Sequence, residues 1–130
     1  MAVGLSTANL ANKWLDMLGA TAFTAPTNTY IKLHTGDPTS AGAGSPSANT
    51  TRVVLAWGSA AAGVKAIVAT LPSWAAWASG SETLSHGSVW DNLTAGNFLY
   101  SFAFTTPKPV TNGDTVNLTA HSFTLTPLAA

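Results

Sequence analysis

Short alternating segments separated by turn residues are the feature that most constrains the fold of this chain. In 97–105, aromatic residues alternate with Leu99, Ser101 and Ala103, a pattern typical of a strand with one buried face. Pro107 and Pro109 predict the end of this strand. Similar but weaker patterns cover 29–35, 52–57, 63–71, 73–78, 82–90, 115–118 and 121–126. About eight short strands with few helices predict a mainly β fold, an antiparallel β-sandwich or jelly-roll-like domain.

One short N-terminal α-helix is predicted over 6–18, ahead of the strands. Ser6 or Thr7 is a suitable N-cap, and Gly19 follows the last turn. Apolar residues recur on one helical face, which must pack on the sheet or on a neighbouring subunit: Leu10, Trp14, Met17 and Leu18. We therefore expect a single domain, 1–130, with the β-sandwich over 28–130.

A long loop of small residues, 36–50, interrupts the strands. It contains Asp37, Pro38 and Pro46 among several glycines and serines. Loops of this length inside compact domains are uncommon and often bind partners. We therefore expect this loop to contact a neighbouring protein.

The charge content excludes several classes of partner. Five Lys and Arg balance five Asp and Glu, and charged residues make up only 8% of the 130 positions. Nucleic-acid binding needs a basic cluster, and so does binding to a membrane surface, so we expect neither partner. The chain has no cysteine, so disulfides and cysteine-based zinc sites are excluded. Near-neutrality fits identical copies packed side by side.

Catalytic motifs are absent, and we expect a protein that is not an enzyme and carries no cofactor or metal. The sequence lacks a nucleophile elbow, a P-loop and a dinucleotide-binding fingerprint. His34, Asp37 and Glu82 are the raw material for an acid–base or metal site. The structural alternative is that Asp37, before Pro38, bonds to the local backbone of a turn.

Tryptophan is enriched, with five residues in 130. Trp57, Trp74, Trp77 and Trp90 fall in predicted strands. Large aromatic residues are typical of a core or of an interface between subunits. The other interpretation places one or two of them on the surface as platforms for sugar rings.

Two stretches of the sequence carry distinctive motifs. One runs Tyr-Ile-Lys-Leu-His-Thr-Gly-Asp-Pro over 30–38, followed by Thr51 and Arg52. The other runs from Leu84 through a Trp-Asp pair and the segment 96–100 to Gly113-Asp114-Thr115. Together they resemble a family of small virion structural proteins from tailed bacteriophages, especially those of actinobacteria. Members are labelled head decoration, minor tail or tail fibre proteins, and the resemblance implies no catalytic residues.

The resemblance implies a place on the virion surface, and the leading hypothesis is a capsid decoration protein. Such a protein would bind the major capsid protein lattice from outside, as a homotrimer, and stabilise the assembled shell. The alternative is a tail, tail-tip or fibre component, with a host-surface glycan as ligand. Because Met1–Gly4 lacks the basic start of a signal peptide, we expect synthesis and assembly in the host cytoplasm. The residues expected at interfaces are Leu10, Trp14, Leu18, Asp37, Pro38, Pro46, Arg52, Trp74 and Trp77.

Overall fold

Antiparallel strands are the main regular secondary structure in the chain, a computed structural model that describes residues 3–126. The mainly β fold class with one short N-terminal helix is therefore confirmed. The ends of the predicted domain, 1–2 and 127–130, lie outside the described residues.

Three sheets are present in the described part of the chain. A five-stranded sheet has the order β1-β7-β6-β2-β3, and two ribbons pair β4 with β9 and β5 with β8. The strands are β1 Gly4–Leu5, β2 Thr29–His34, β3 Val53–Leu55, β4 Val64–Ala66, β5 Ser73–Trp74, β6 Glu82–Trp90, β7 Phe98–Val110, β8 Val116–Asn117 and β9 Ser122–Thr124.

The N-terminal helix runs from Thr7 to Gly19 and changes its winding along the way. The Ser6 hydroxyl caps it by accepting from the backbone N–H of Asn9 at 3.3 Å. Its first turn is π-helical, because the N–H of Ala11 reaches back five residues to the Ser6 carbonyl at 3.0 Å. An α-helical turn and a 3₁₀ turn follow, and Ala20 ends the helix in the left-handed conformation, φ 64°.

The core lies between one face of the five-stranded sheet and the two ribbons. Register places Ile31, Val89 and Tyr100 side by side on this inner face. Phe123 of β9 packs on Tyr100, with ring centroids 5.1 Å apart. The ribbon of β5 and β8 adds Trp74 to the same buried cluster. Burial of each such apolar side chain contributes about 1.5–3 kcal/mol.

Strand β7 continues past the predicted end at Pro107 and Pro109 and reaches Val110, so the expected stop is wrong. Among the described strands, β1 pairs only with Tyr100 and Ser101, which leaves the other side of 102–110 without a strand partner. Proline is tolerated there because it removes no hydrogen bond from that open side.

Candidate functional site

The residues expected at interfaces divide into a buried and an accessible set. Leu10, Pro38, Trp74 and Trp77 are buried within the chain's own fold. Trp74 and Trp77 therefore take the core role that their size suggested. Accessible surface remains on Trp14, Leu18, Asp37, Pro46 and Arg52. The interface role of these residues stays a prediction.

The 36–50 loop lies folded against the outer face of the sheet. Its returning segment runs beside the end of β2: the Thr35 N–H donates to the Ser45 carbonyl at 2.9 Å, and the Ser47 N–H donates to Leu33 at 3.1 Å. Gly42 packs on the ring of Phe98. The loop is therefore a docked part of the fold: Pro38, Gly42 and Ser47 are buried, and most of its other positions are accessible.

His34 holds this loop against the sheet through hydrogen bonds at both of its ring nitrogens. Its Nδ1 lies 2.7 Å from the Gly44 carbonyl oxygen, and its Nε2 lies 2.7 Å from Ser88 Oγ. A carbonyl can only accept, so Nδ1 carries a proton, and the Ser88 hydroxyl can donate to Nε2 of the neutral ring. Burial is the main cause that lowers the pKa of His34.

Arg52 joins the loop's far end to the β6–β7 turn. Its guanidinium lies 4.0 Å above the centre of the Trp90 ring and donates to the carbonyls of Asn92 and Ala95 at 2.8 and 2.6 Å. Burial lowers the pKa of Arg52, while Asp91 opposes this shift. These contacts have a structural role, because they hold the segment after the loop to the β6–β7 turn. They lie on accessible surface.

The three groups considered for acid–base chemistry each bond to nearby backbone or hydroxyl groups. Asp37 Oδ1 accepts from the Thr39 N–H at 2.8 Å, as expected for a turn aspartate. The Glu82 carboxylate accepts from the Ser47 hydroxyl and from the Ala48 N–H at 3.1 Å. Within 3–126, histidine and carboxylate side chains form no group of three that could hold a metal ion.

The end of the N-terminal helix presents apolar side chains to solvent. The exposed fraction of the side chain rises from 5% at Leu10 to 88% at Leu18. Leu15 and Met17 are also more than half exposed. We call Leu15, Met17 and Leu18 the helix-end patch. The predicted apolar stripe is therefore buried at Leu10, half-buried at Trp14, whose ring contacts Phe123, and exposed at Met17 and Leu18.

A large irregular bulge in β7 opens a groove of about 680 Å³ beside the core. Leu84 pairs with Lys108 and His86 pairs with Ala103, so the single residue Ser85 stands opposite 104–107. We call the resulting space the bulge groove. The residues 116–122 form its opposite wall. Bulges of this kind frequently lie next to functional sites because they redirect side chains.

Aromatic rings from both walls of the bulge groove meet inside it. His121 stacks on Phe102 with ring centroids 4.0 Å apart, and Phe104 meets Phe102 edge-on at 5.8 Å. His121 Nε2 also lies 2.8 Å from the Tyr100 hydroxyl. Burial lowers the pKa of His121 to about 4, so the His121 ring is uncharged at neutral pH.

Comparison with known proteins defines the class of the chain as a bacteriophage virion structural protein. A family model described as Podophage GP4 fiber I protein gp80 matches residues 4–126, and the chain belongs to this family. The curated proteins contain no match. The expected resemblance to phage virion proteins is thereby confirmed at the level of the class.

Sequence patterns missed the bulge groove. The alternation in 97–105 predicts a strand with one buried face, but the rings of Phe102 and Phe104 are only partly buried. The two prolines after Thr106 were the available signal, because proline in a strand indicates an edge or a bulge.

No helix in the described part of the chain is long and apolar enough to cross a membrane.

Proposed function

We propose that the chain is a non-enzymatic fibre component of a phage tail. The observation that supports this is the match to a fibre protein family across residues 4–126, which is nearly all of the described chain. A fibre component needs a rigid domain and a means of joining neighbouring chains. The β domain supplies the first, and accessible apolar surface supplies the second.

Copies of this chain associate, in this proposal, as a homotrimer through the helix-end patch. Leu15 and Leu18 expose 65% and 88% of their surface, and exposed apolar clusters on soluble proteins commonly mark contact sites. The formal net charge of zero removes the repulsion that identical charged copies would experience. Neither nucleic acid nor a membrane is a partner in this proposal.

A capsid decoration protein is the second candidate. It is supported by the absence of a repeating shaft pattern in the 130 residues and by the low charge, which suits close packing on a lattice. In that role the chain would bind the outer surface of the major capsid protein lattice and stabilise the shell by mass action.

Copy number in purified particles, measured by quantitative mass spectrometry, separates the two roles. A fibre component is present in a small number of copies and is labelled at the tail by antibody-bound gold in electron micrographs. Hundreds of copies with label spread over the head would overturn the fibre proposal in favour of decoration. Absence of the chain from purified particles would overturn both.

A further inference from the structure

The bulge groove is large enough for a small ligand and has a mixed lining. Its volume of about 680 Å³ falls within the range of ligand sites in proteins, about 300–1,000 Å³. Its base is formed by core residues such as Leu84 and Trp74. Partly buried aromatic rings lie above this base, and exposed polar side chains surround the opening.

The polar side chains around the opening are mainly hydroxyls and an amide. Thr105 and Thr106 lie on the bulge itself, and Asn117 and Thr119 lie on the opposite wall. Each can both donate and accept hydrogen bonds. A ligand that matches them carries many hydroxyl groups, and a ligand that matches Phe102 and Phe104 has a flat apolar face. Pyranose rings combine the two properties.

The charge of the lining narrows the ligand further. Lys108 is exposed at the groove and shares a face of the sheet with Leu84, its partner across the strands. The groove's lining residues include no Asp or Glu. The opening therefore has one positive charge that no carboxylate in the lining balances, which complements a ligand with an anionic group.

We propose that the bulge groove binds an acidic oligosaccharide. A sugar ring lies against Phe104 and Phe102, the threonine and asparagine side chains bond its hydroxyls, and Lys108 pairs with a uronate or phosphate group. This deepens the fibre role and rests on it for its biological purpose. The binding itself is a property of the isolated chain, so it is tested separately from the copy number.

The test applies the purified chain to an array of bacterial surface oligosaccharides with uronate-bearing, phosphate-bearing and neutral members. Binding to uronate- or phosphate-bearing members is expected, and the two arms show which anionic group is preferred. The best member is then titrated by calorimetry at low and high salt. Affinity is expected to fall with salt because an exposed ion pair is screened.

Variants locate the binding site. Lys108→Gln is expected to weaken binding about two- to fivefold, in line with one exposed ion pair. Lys13→Gln removes the same charge from the exposed helix surface and is expected to leave affinity unchanged. Phe104→Ser is expected to weaken binding by about tenfold or more through loss of the ring contact.

A further variant of the groove separates loss of binding from loss of folding. Asn117→Ala changes an exposed side chain of the groove and leaves the core intact. If the wild-type chain binds no member of the array, the proposal is overturned. Binding to neutral members alone, or binding that Lys108→Gln, Phe104→Ser and Asn117→Ala all leave unchanged, overturns it equally.

Discussion

His34 holds a long loop against the sheet through both of its ring nitrogens. Nδ1 donates to Gly44, while Nε2 accepts from Ser88, whose oxygen also accepts from the Trp90 indole N–H at 2.8 Å. Every member of this chain of bonds has a partner, which is the condition for a buried polar network to stabilise a fold. The loop and the sheet therefore depend on one neutral imidazole.

Replacing His34 by leucine is expected to destabilise the chain by about 2–4 kcal/mol, because the Gly44 carbonyl and the Ser88 hydroxyl lose their partner. Urea unfolding followed by circular dichroism measures the change. His86→Leu is the matched control: His86 is half-buried and bonds Ser85 Oγ at 2.8 Å, so a loss of about 1 kcal/mol or less is expected. Equal losses in the two variants would contradict this role for His34.

His121 makes stability depend on pH. Burial lowers its pKa from 6.5 to about 4, so between these values the unfolded chain binds a proton that the folded chain does not. The stabilisation is complete above about pH 6.5 and is lost as the pH falls toward 4. Allowing for partial exposure of the ring, the loss amounts to about 2–3 kcal/mol. Burial also lowers the pKa of His34, which acts in the same direction.

The variant His121→Phe keeps an aromatic ring against Phe102 and removes the titration. Free energies of unfolding measured by urea at neutral pH and near pH 4 should differ less in the variant than in the wild type. An identical pH dependence in both proteins would show that another group is responsible.

At the scale of elements, the 36–50 loop shows what tight packing of backbone on an aromatic ring requires. Gly42 has φ 70°, and a Cβ at this position would collide with the ring of Phe98. Both facts call for glycine, the first through backbone conformation and the second through space.

Gly42→Ala is expected to destabilise the chain by about 2 kcal/mol or more, the sum of a left-handed alanine and the collision with Phe98. Gly80→Ala is the control, because Gly80 has φ 82° and open space around its Cα. It should lose about 1 kcal/mol through conformation alone. Thermal unfolding of both variants measures the difference, and equal losses would mean that the loop is not packed on Phe98.

Local patterns predicted the elements that depend on nearby residues. The Ser6 cap and the alternation in 82–90 produced a helix start and a strand where they were expected. The docking of the 36–50 loop was not predictable, because it depends on a bond between His34 and Ser88, 54 positions apart. The extent of β7 was not predictable for a similar reason: proline ends a strand only where the neighbouring strand needs a backbone N–H at that position, and this depends on the sheet order.

At the scale of the whole molecule, low charge and the helix-end patch would act together in the trimer that we propose. A net charge of zero leaves the association of copies to apolar contact. Contacts of this kind are weakly screened, so association should change little with salt.

We expect the purified chain to form a trimer in light-scattering measurements and to keep this state from about 0.05 to about 0.5 M salt. Leu18→Glu should shift the population to monomer, because it places a charge within the apolar contact. Leu93→Glu changes a half-exposed leucine in the β6–β7 turn and should leave the trimer intact. A wild-type chain that stays monomeric at all concentrations would refute the trimer.

The open side of β7 has a consequence for the newly made chain before assembly. A long strand with free backbone groups is a template on which other chains can add strands and form insoluble aggregates. The run Pro107-Lys108-Pro109 occupies this side, with two residues that donate no backbone hydrogen bond and a charge between them. We expect these three residues to reduce aggregation of the chain between its synthesis and its incorporation into the particle.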